Sequence, residues 1–289
     1  MNNRCFFVTD LHGHKARYQS LWQTVAEEQP GLVLLGGDML PPPIKDSGSL
    51  FVQSELVPAL ISLRDLLKDN YPLIGLIPGN DDPKSVEPVF LSLEKQGLLH
   101  YLQERAFPWR GWTIIGFSYI PPTPFLLKDW ERYDISRYAP PGAIPPENGI
   151  FSIDTDREAI PWETLRDRLK TLWGPLHNSP VIFLAHAPPY DTPLDIIDVH
   201  GKTIDHAPID AHIGSLAIRE AIETFQPVIS LHGHAHESAQ LSGQWMFQIG
   251  QSLAINGAHD GPELSLVRFK LDLDTNSITR ELISPLIST

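Results

Sequence analysis

Cys5-Phe6-Phe7-Val8-Thr9-Asp10-Leu11-His12 decides the reading of this chain: an apolar run fit for a buried strand gives way at once to an aspartate and a histidine. The same construction returns at Leu32 to Leu35 before Gly36-Gly37-Asp38 and at Leu73 to Ile77 before Pro78-Gly79-Asn80. It appears again at Val181 to Leu184 before Ala185-His186, and at Val228 to Leu231 before His232-Gly233-His234. Short apolar runs bounded by turn residues read as strands buried on both faces. Between them, Leu56, Leu60, Leu63, Leu66 and Leu67, and later Ile218, Ala221, Ile222 and Phe225, have the spacing of amphipathic helices. Strand and helix alternate, which predicts an α/β layered fold. Trp245 to Ile249, Leu264 to Leu271 and Ser277 to Leu282 read as further strands, with Asp274-Thr275-Asn276 as a turn, and predict a second, more antiparallel sheet.

The residues that follow the runs share one chemistry. Asp10, His12, Asp38, Asn80, His186, His234 and His236 all carry metal-ligating atoms. In open α/β sheets the carboxyl ends of the strands form the ligand crevice, so residues just past separate strands can converge on one point. Asp10 and His12 are two apart, as are His234 and His236, and in extended chain such pairs point to one side. Taken singly, an Asp after a strand is a turn or helix cap, and Gly79-Asn80-Asp81-Asp82-Pro83 is a turn entering a helix at Lys84 with Asp82 as its cap. The joint occurrence is what points to a metal centre.

Composition bounds the rest. With 289 residues, 42% hydrophobic and 20% charged, the chain reads as one globular domain over 1–289. Cys5 is the single cysteine, so no intramolecular disulfide forms; it reads as a small buried hydrophobe, and the chain suits a reducing compartment. The first residues do not read as a signal peptide, and no run approaches the roughly 18 apolar residues of a membrane helix. A soluble, cytoplasmic protein is expected. The net charge of -13 argues against passive nucleic-acid binding, while a metal pair would still admit a small phosphate ester. Residues 119–161 are rich in proline and aromatics and read as an ordered insertion within the domain, either a surface excursion packed by its own aromatics or a loop overhanging the site.

The blocks Asp10-Leu11-His12, Gly37-Asp38, Gly79-Asn80-Asp81, His186 and Gly233-His234-Ala235-His236 occur in the order of the calcineurin-like metallophosphoesterase superfamily, which this sequence resembles. Ala187-Pro188-Pro189, His212-Ile213-Gly214-Ser215 and His236-Glu237-Ser238 are similar to the branch of predicted phosphoesterases related to cyclic-nucleotide phosphodiesterases. The resemblance implies an αββα sandwich of two mixed sheets flanked by helices, with the site at the strand C-terminal ends. It implies that Asp10, His12 and His236 hold one metal, that Asn80, His186 and His234 hold the other, and that Asp38 bridges them. The ions would be divalent or trivalent transition metals such as Mn, Fe or Zn. Hydroxide generated between them would attack a phosphate ester, a diester in preference to a monoester.

Asp81 departs from the pattern, since many relatives have a histidine there to assist the leaving group; Asp81 either donates a proton when protonated or only orients its neighbours. Asp38, Asn80, Asp81 and His212 are therefore the candidate catalytic residues. Weaker candidates are His14, Arg17 as a phosphate ligand, His200, His206 and Asp195, the last three in an acidic loop with Asp191, Asp198, Asp205 and Asp210. The alternative from a different class is a catalytically silent scaffold or regulatory metal-binding protein on the same fold. The substrate expected is a small phosphate ester, without nucleic acid or membrane as partner.

Overall fold

Along a strand, side chains alternate between faces. In Arg4–Val8 both faces are apolar: Phe6 and Val8 enter one core, Cys5 and Phe7 another. Such a strand belongs between a helical layer and a second sheet. The computed structural model has this arrangement; it describes residues 3–42, 47–174, 179–199, 201, 203–204, 207–208, 210–271 and 277–285.

In chain order the strands are β1 (Arg4–Val8), β2 (Leu32–Leu35), β3 (Leu73–Leu76), β4 (His100–Tyr101), β5 (Arg105–Trp109), β6 (Trp112–Phe117) and β7 (Val181–Ala185). They continue with β8 (Thr203–Ile204), β9 (Ala207–Pro208), β10 (Ile229–His232), β11 (Met246–Ile249), β12 (Ser252–Asn256), β13 (Leu264–Lys270) and β14 (Thr279–Ile283). One six-stranded sheet has the order β14-β13-β1-β2-β3-β4, and a second has β11-β12-β10-β7-β6-β5. The principal helices are α1 (Lys15–Glu28), α2 (Ser47–Phe51), α3 (Val57–Leu67), α4 (Glu87–Lys95), α5 (Leu165–Trp173), α6 (Leu216–Phe225) and α7 (Ser238–Ser242).

Leu21 and Val25 of α1, Leu60 and Leu63 of α3 and Phe90 of α4 pack on the outer face of the first sheet. Leu165, Leu169 and Trp173 of α5 and Ile218 and Ile222 of α6 pack on that of the second. Between the sheets lie Cys5, Phe7, Leu34, Ile182, Leu184, Ile229 and Leu231. This is the expected four-layer sandwich. Cys5 is fully buried in its middle, where burial pushes its thiol up to about 12.

The C-terminal strands do not form a sheet of their own, contrary to the sequence expectation. β13 pairs antiparallel with β1, with Phe7 opposite Val267, and β14 extends that sheet. β11 joins the other sheet antiparallel to β12, which itself runs parallel to β10. An exposed edge of β1 or β10 would leave a row of backbone groups unpaired, and the C-terminal strands cover one such edge on each sheet. The anticipated turn at Asp274-Thr275-Asn276 lies outside the described residues.

The 119–161 insertion is anchored at its base. Trp130 and Tyr133 are buried, whereas Phe125 and Tyr138 stand exposed. Trp130 Nε1 donates to Asp82 O (2.7 Å) and Lys84 N donates to Asp129 Oδ2 (2.7 Å). The insertion is thereby fastened to the segment that immediately follows Asn80.

Candidate metal centre

β1, β2 and β3 run parallel, so the loops carrying Asp10 and His12, Asp38, and Asn80 leave one edge of the first sheet. β7 and β10 are parallel, so His186 and the His234 to His236 turn leave one edge of the second. Bonds across the interface bring the two edges together: His186 Nδ1 lies 2.9 Å from Gly36 O, and His234 N donates to Asp10 Oδ1 (3.1 Å).

The pairs at spacing two do not converge by lying in extended chain. Asp10 (φ 55°), His12 (φ 46°), Asp38 (φ 51°) and His234 (φ 67°) are all left-handed. Such backbone costs about 1–3 kcal/mol per residue and persists where the surroundings over-determine it, commonly at functional sites. Here Asp10 N bonds Gly37 O (2.9 Å), His12 N bonds Asp38 O (2.8 Å) and Gly13 N bonds Met39 O (3.0 Å), locking the first loop onto the second. The loops leave no room for a side chain at Gly37 or Gly79. A Cβ on Gly37 (φ 102°) would sit 2.5 Å from His186 Nδ1, and one on Gly79 would run into the Asp38 carboxylate.

Two overlapping sets of donors result. Asp10, His12, Asp38 and His236 each offer a ligand atom, and these atoms lie within 4.8 Å of one another; Asp38, His186 and His234 form a second such set. Asp38 belongs to both. Asn80 joins the second set, its Oδ1 being 3.1 Å from His186 Nε2. On the other side His236 Nε2 is 3.0 Å from Asp10 Oδ1 and 3.3 Å from His12 Nε2. Carboxylate, imidazole and amide donors converging in this way fit a pair of transition-metal cations. With its Nδ1–H donated to Gly36 O, His186 presents Nε2 to the centre, the outer-shell support that ligating histidines commonly receive.

The field at the centre favours positive charge. Burial opposes ionisation of Asp10, yet His236, with His186 and His12 behind it, pulls its carboxyl well below the usual range. Asp38 is also lowered, since His186 outweighs the effect of burial. For His186 and His236, burial acts against the protonated ring, but the carboxylates of Asp38 and Asp10 raise both. Burial and the neighbouring His186 lower His234 to about 3, leaving that ring neutral. A potential that holds protons on imidazoles equally attracts a cation that displaces them.

Other residues named from the sequence fall into place around this centre. Asp81 Oδ1 accepts from Asn80 Nδ2 (2.9 Å), turning the amide oxygen of Asn80 towards His186, and Asp81 Oδ2 lies 3.7 Å from His12 Nδ1. Asp81 thus orients two ligand candidates. Arg17 is not a free phosphate ligand: buried, it donates to Asp10 O (2.7 Å) and to Gly261 O, and so supports the left-handed Asp10 from below. His14 is exposed at the N-cap of α1. His212 stands outside both donor sets, with Nδ1 2.7 Å from Asp195 Oδ1. His200 and His206 lie outside the described residues.

The sequence reading missed Asp82. Rather than capping a helix, its fully buried carboxylate accepts from Met39 N (3.1 Å), Leu40 N (2.8 Å) and Gly79 N (2.9 Å), tying the loop of Asp38 to that of Asn80. Thr9 was missed as well; its Oγ1 donates to Asp10 Oδ2 (2.7 Å). The adjacency of each to a ligand block was the one signal available.

Two six-stranded sheets whose adjoining edges gather donors for two cations define a metallophosphoesterase type of architecture. The chain belongs to the calcineurin-like phosphoesterase family, which matches over residues 4–238. It is similar to the uncharacterized protein MJ1162 of Methanocaldococcus jannaschii, 35% identical over 78 residues, a stretch that is 26% of this chain and spans 30% of that relative's length. Its fold is similar to that of TT1561 of Thermus thermophilus, with a TM-score of 0.56 and 16% identity over 98% of this chain and 99% of the other. Phosphopantetheinyl hydrolase (PptH) from Mycobacterium tuberculosis is likewise similar, with a TM-score of 0.51 and 12% identity over 89% of each chain. At these identities the two structures bear on the fold alone. Among the described residues no helix is long and apolar enough to cross a membrane.

Proposed function

We propose that this chain hydrolyses a small phosphate ester, a diester in preference to a monoester, using two transition-metal cations such as manganese, iron or zinc. The observation that carries the reading is the position of Asp38, whose carboxylate is common to both donor sets. Asp10, His12 and His236 would hold one cation, Asn80, His186 and His234 the other, with Asp38 between them. When bound, such a pair activates water and neutralises charge that develops on the phosphoryl oxygens. The residues of the chain fix the geometry: Gly36 O orients His186, Asp81 orients Asn80, and the Asp81 N–H donated to Asp38 Oδ1 (2.8 Å) holds the shared carboxylate. The diester preference is supported by the branch similarity at Ala187-Pro188-Pro189 and His236-Glu237-Ser238. We read residues 1–289 as one unit acting in the cytoplasm, with neither nucleic acid nor membrane as partner.

The test is turnover of bis(4-nitrophenyl) phosphate and 4-nitrophenyl phosphate by metal-stripped protein reloaded with manganese. Wild type is expected to bind two ions per chain and cleave the diester faster, whereas Asp38→Asn loses activity by a factor of at least about 100. Two bound ions with no turnover on either ester would instead identify a silent scaffold, and failure to bind metal would remove the ligand assignment.

A further inference from the structure

Soon after His186 the chain passes, at Leu194 and Asp198, against the turn of His234 and His236. Asn256 Nδ2 donates to both Leu194 O (2.8 Å) and Ala235 O (3.0 Å), and Asp198 N donates to Glu237 Oε2 (2.8 Å). Within this stretch Asp195 is completely buried, and its carboxylate accepts from Asp191 N (3.1 Å), Thr192 N (3.0 Å) and Gly214 N (3.1 Å). Its remaining partner is His212 Nδ1 at 2.7 Å. A carboxylate held by three backbone donors cannot swing, so it fixes the ring with Nδ1–H inward and Nε2 directed away, in a side chain that stays 27% exposed. Asp81, by contrast, is engaged with Asn80 and His12.

Resting on the phosphoesterase reading above, we propose that His212, positioned by Asp195, is the proton donor to the leaving-group oxygen. As the bond from phosphorus to that oxygen breaks, its electron pair stays on oxygen, which takes the proton from Nε2. The oxygen of water bonds to phosphorus, and the proton that water sheds returns through solvent to the neutral imidazole. The groups facing His212 suit a donor. Asp195 is in contact, Asp191 Oδ1 is 3.9 Å from Nε2, Asp210 Oδ1 accepts His212 N (2.9 Å), and the Tyr190 ring packs edge-on with its hydroxyl donated to Asp210. Arg219 draws the Asp191 carboxylate to itself (3.3 Å). Burial lowers His212, but the surrounding carboxylates, Asp195 first, outweigh it and favour the imidazolium.

The experiment compares manganese-loaded wild type, His212→Asn, His212→Gln and Asp195→Asn on aryl phosphodiesters whose leaving groups range from 4-nitrophenol to phenol, with metal content measured throughout. A donor matters little to a good leaving group and contributes about 100-fold or more to a poor one. Both His212 variants should therefore keep two ions and lose little on 4-nitrophenyl esters, with the loss growing to about 100-fold on phenyl esters. Asp195→Asn should show the same trend and move the basic limb of the wild-type pH profile to lower pH. Losses that are equal across the series, or absent, would overturn the proposal while leaving the hydrolase reading intact. No turnover by wild type on any ester would remove that reading and the donor with it.

Discussion

Asp82 touches no ligand atom and yet sets where Asp38 and Asn80 lie, because three backbone N–H groups from the two loops end on its carboxylate. Burial and the nearby Asp38 push its carboxyl up to about 7, a measure of how far it is removed from water. Asp82→Ala would leave Met39, Leu40 and Gly79 with unpaired buried donors, each costing about 1–3 kcal/mol. Destabilisation of about 3 kcal/mol or more is expected in urea unfolding of the metal-free protein, together with weaker manganese binding by titration. An Asp82→Ala protein with wild-type stability and affinity would show that the loops hold themselves. A second prediction concerns protons. The carboxylates of Asp38 and Asp10 raise His186 and His236, so a cation must displace protons these rings hold more tightly than usual. Metal affinity should fall as pH falls, and calorimetry in buffers of different ionisation enthalpy should register proton release; identical heats in all buffers would count against it. The donors that the fold gathers were legible as ligand candidates because their chemical types recur after each apolar run. Asp82 was not, because two of its three partners, Met39 and Leu40, lie 43 and 42 residues away in sequence, and a carboxylate in Gly79-Asn80-Asp81-Asp82-Pro83 looks the same whether it caps a turn or clamps a loop.

At the scale of elements, the 119–161 insertion is held by charge as well as by Trp130. Lys128 and Glu131 are both 0% exposed and paired with each other, while Glu131 also accepts Thr123 N (2.7 Å) and Lys128 Nζ donates to Thr123 O (2.8 Å). Removing one partner of such a pair strands a buried charge, at a cost of about 3–5 kcal/mol, whereas replacing both by apolar residues is often close to neutral. Lys128→Met is therefore expected to destabilise strongly and to open the insertion to limited proteolysis, and Lys128→Met combined with Glu131→Leu to recover most of the loss. A double variant no better than the single one would mean that the hydrogen bonds to Thr123 matter more than the charges. Asp134, further along the insertion, accepts Leu216 N (2.7 Å) and Ser215 Oγ (2.6 Å) at the start of α6, so loosening this segment should reach the second sheet's helical layer. The five strands that lead into the candidate ligands could be read because each apolar run ends in a residue of metal-ligating type. β6 and β12 escaped: Trp112–Phe117 passes into Ser118 and Tyr119, and Ser252–Asn256 is polar at both ends of a short apolar centre. Without β12, β11 had no visible partner, and nothing in the pattern of β13 names β1 as its neighbour, so a separate sheet was the natural but mistaken expectation.

For the molecule as a whole, the proposed cations join halves that are also held by apolar packing between the sheets and by the hydrogen bonds of His186 to Gly36 and His234 to Asp10. Asp10, His12, Asp38 and Asn80 leave the first sheet, and His186, His234 and His236 the second, so either cation would be ligated from both. A ligand that binds only the folded state stabilises it by about 2.7 kcal/mol when its free concentration is about a hundred times its dissociation constant. For domains of comparable size each kcal/mol raises the melting temperature by about 2–4 °C. Saturating manganese should thus raise the melting temperature of the stripped protein by about 5–10 °C per site, in a manner that depends on metal concentration and reverses with chelator. Asp38→Asn should blunt the response at both sites, since its carboxylate belongs to both donor sets, whereas His12→Asn should affect only the site it shares with Asp10 and His236. Thermal melts of the three proteins across a manganese titration distinguish a shared carboxylate from two independent sites. Equal responses in Asp38→Asn and His12→Asn would mean that Asp38 serves one cation alone, and the cross-sheet link would then rest on the histidines.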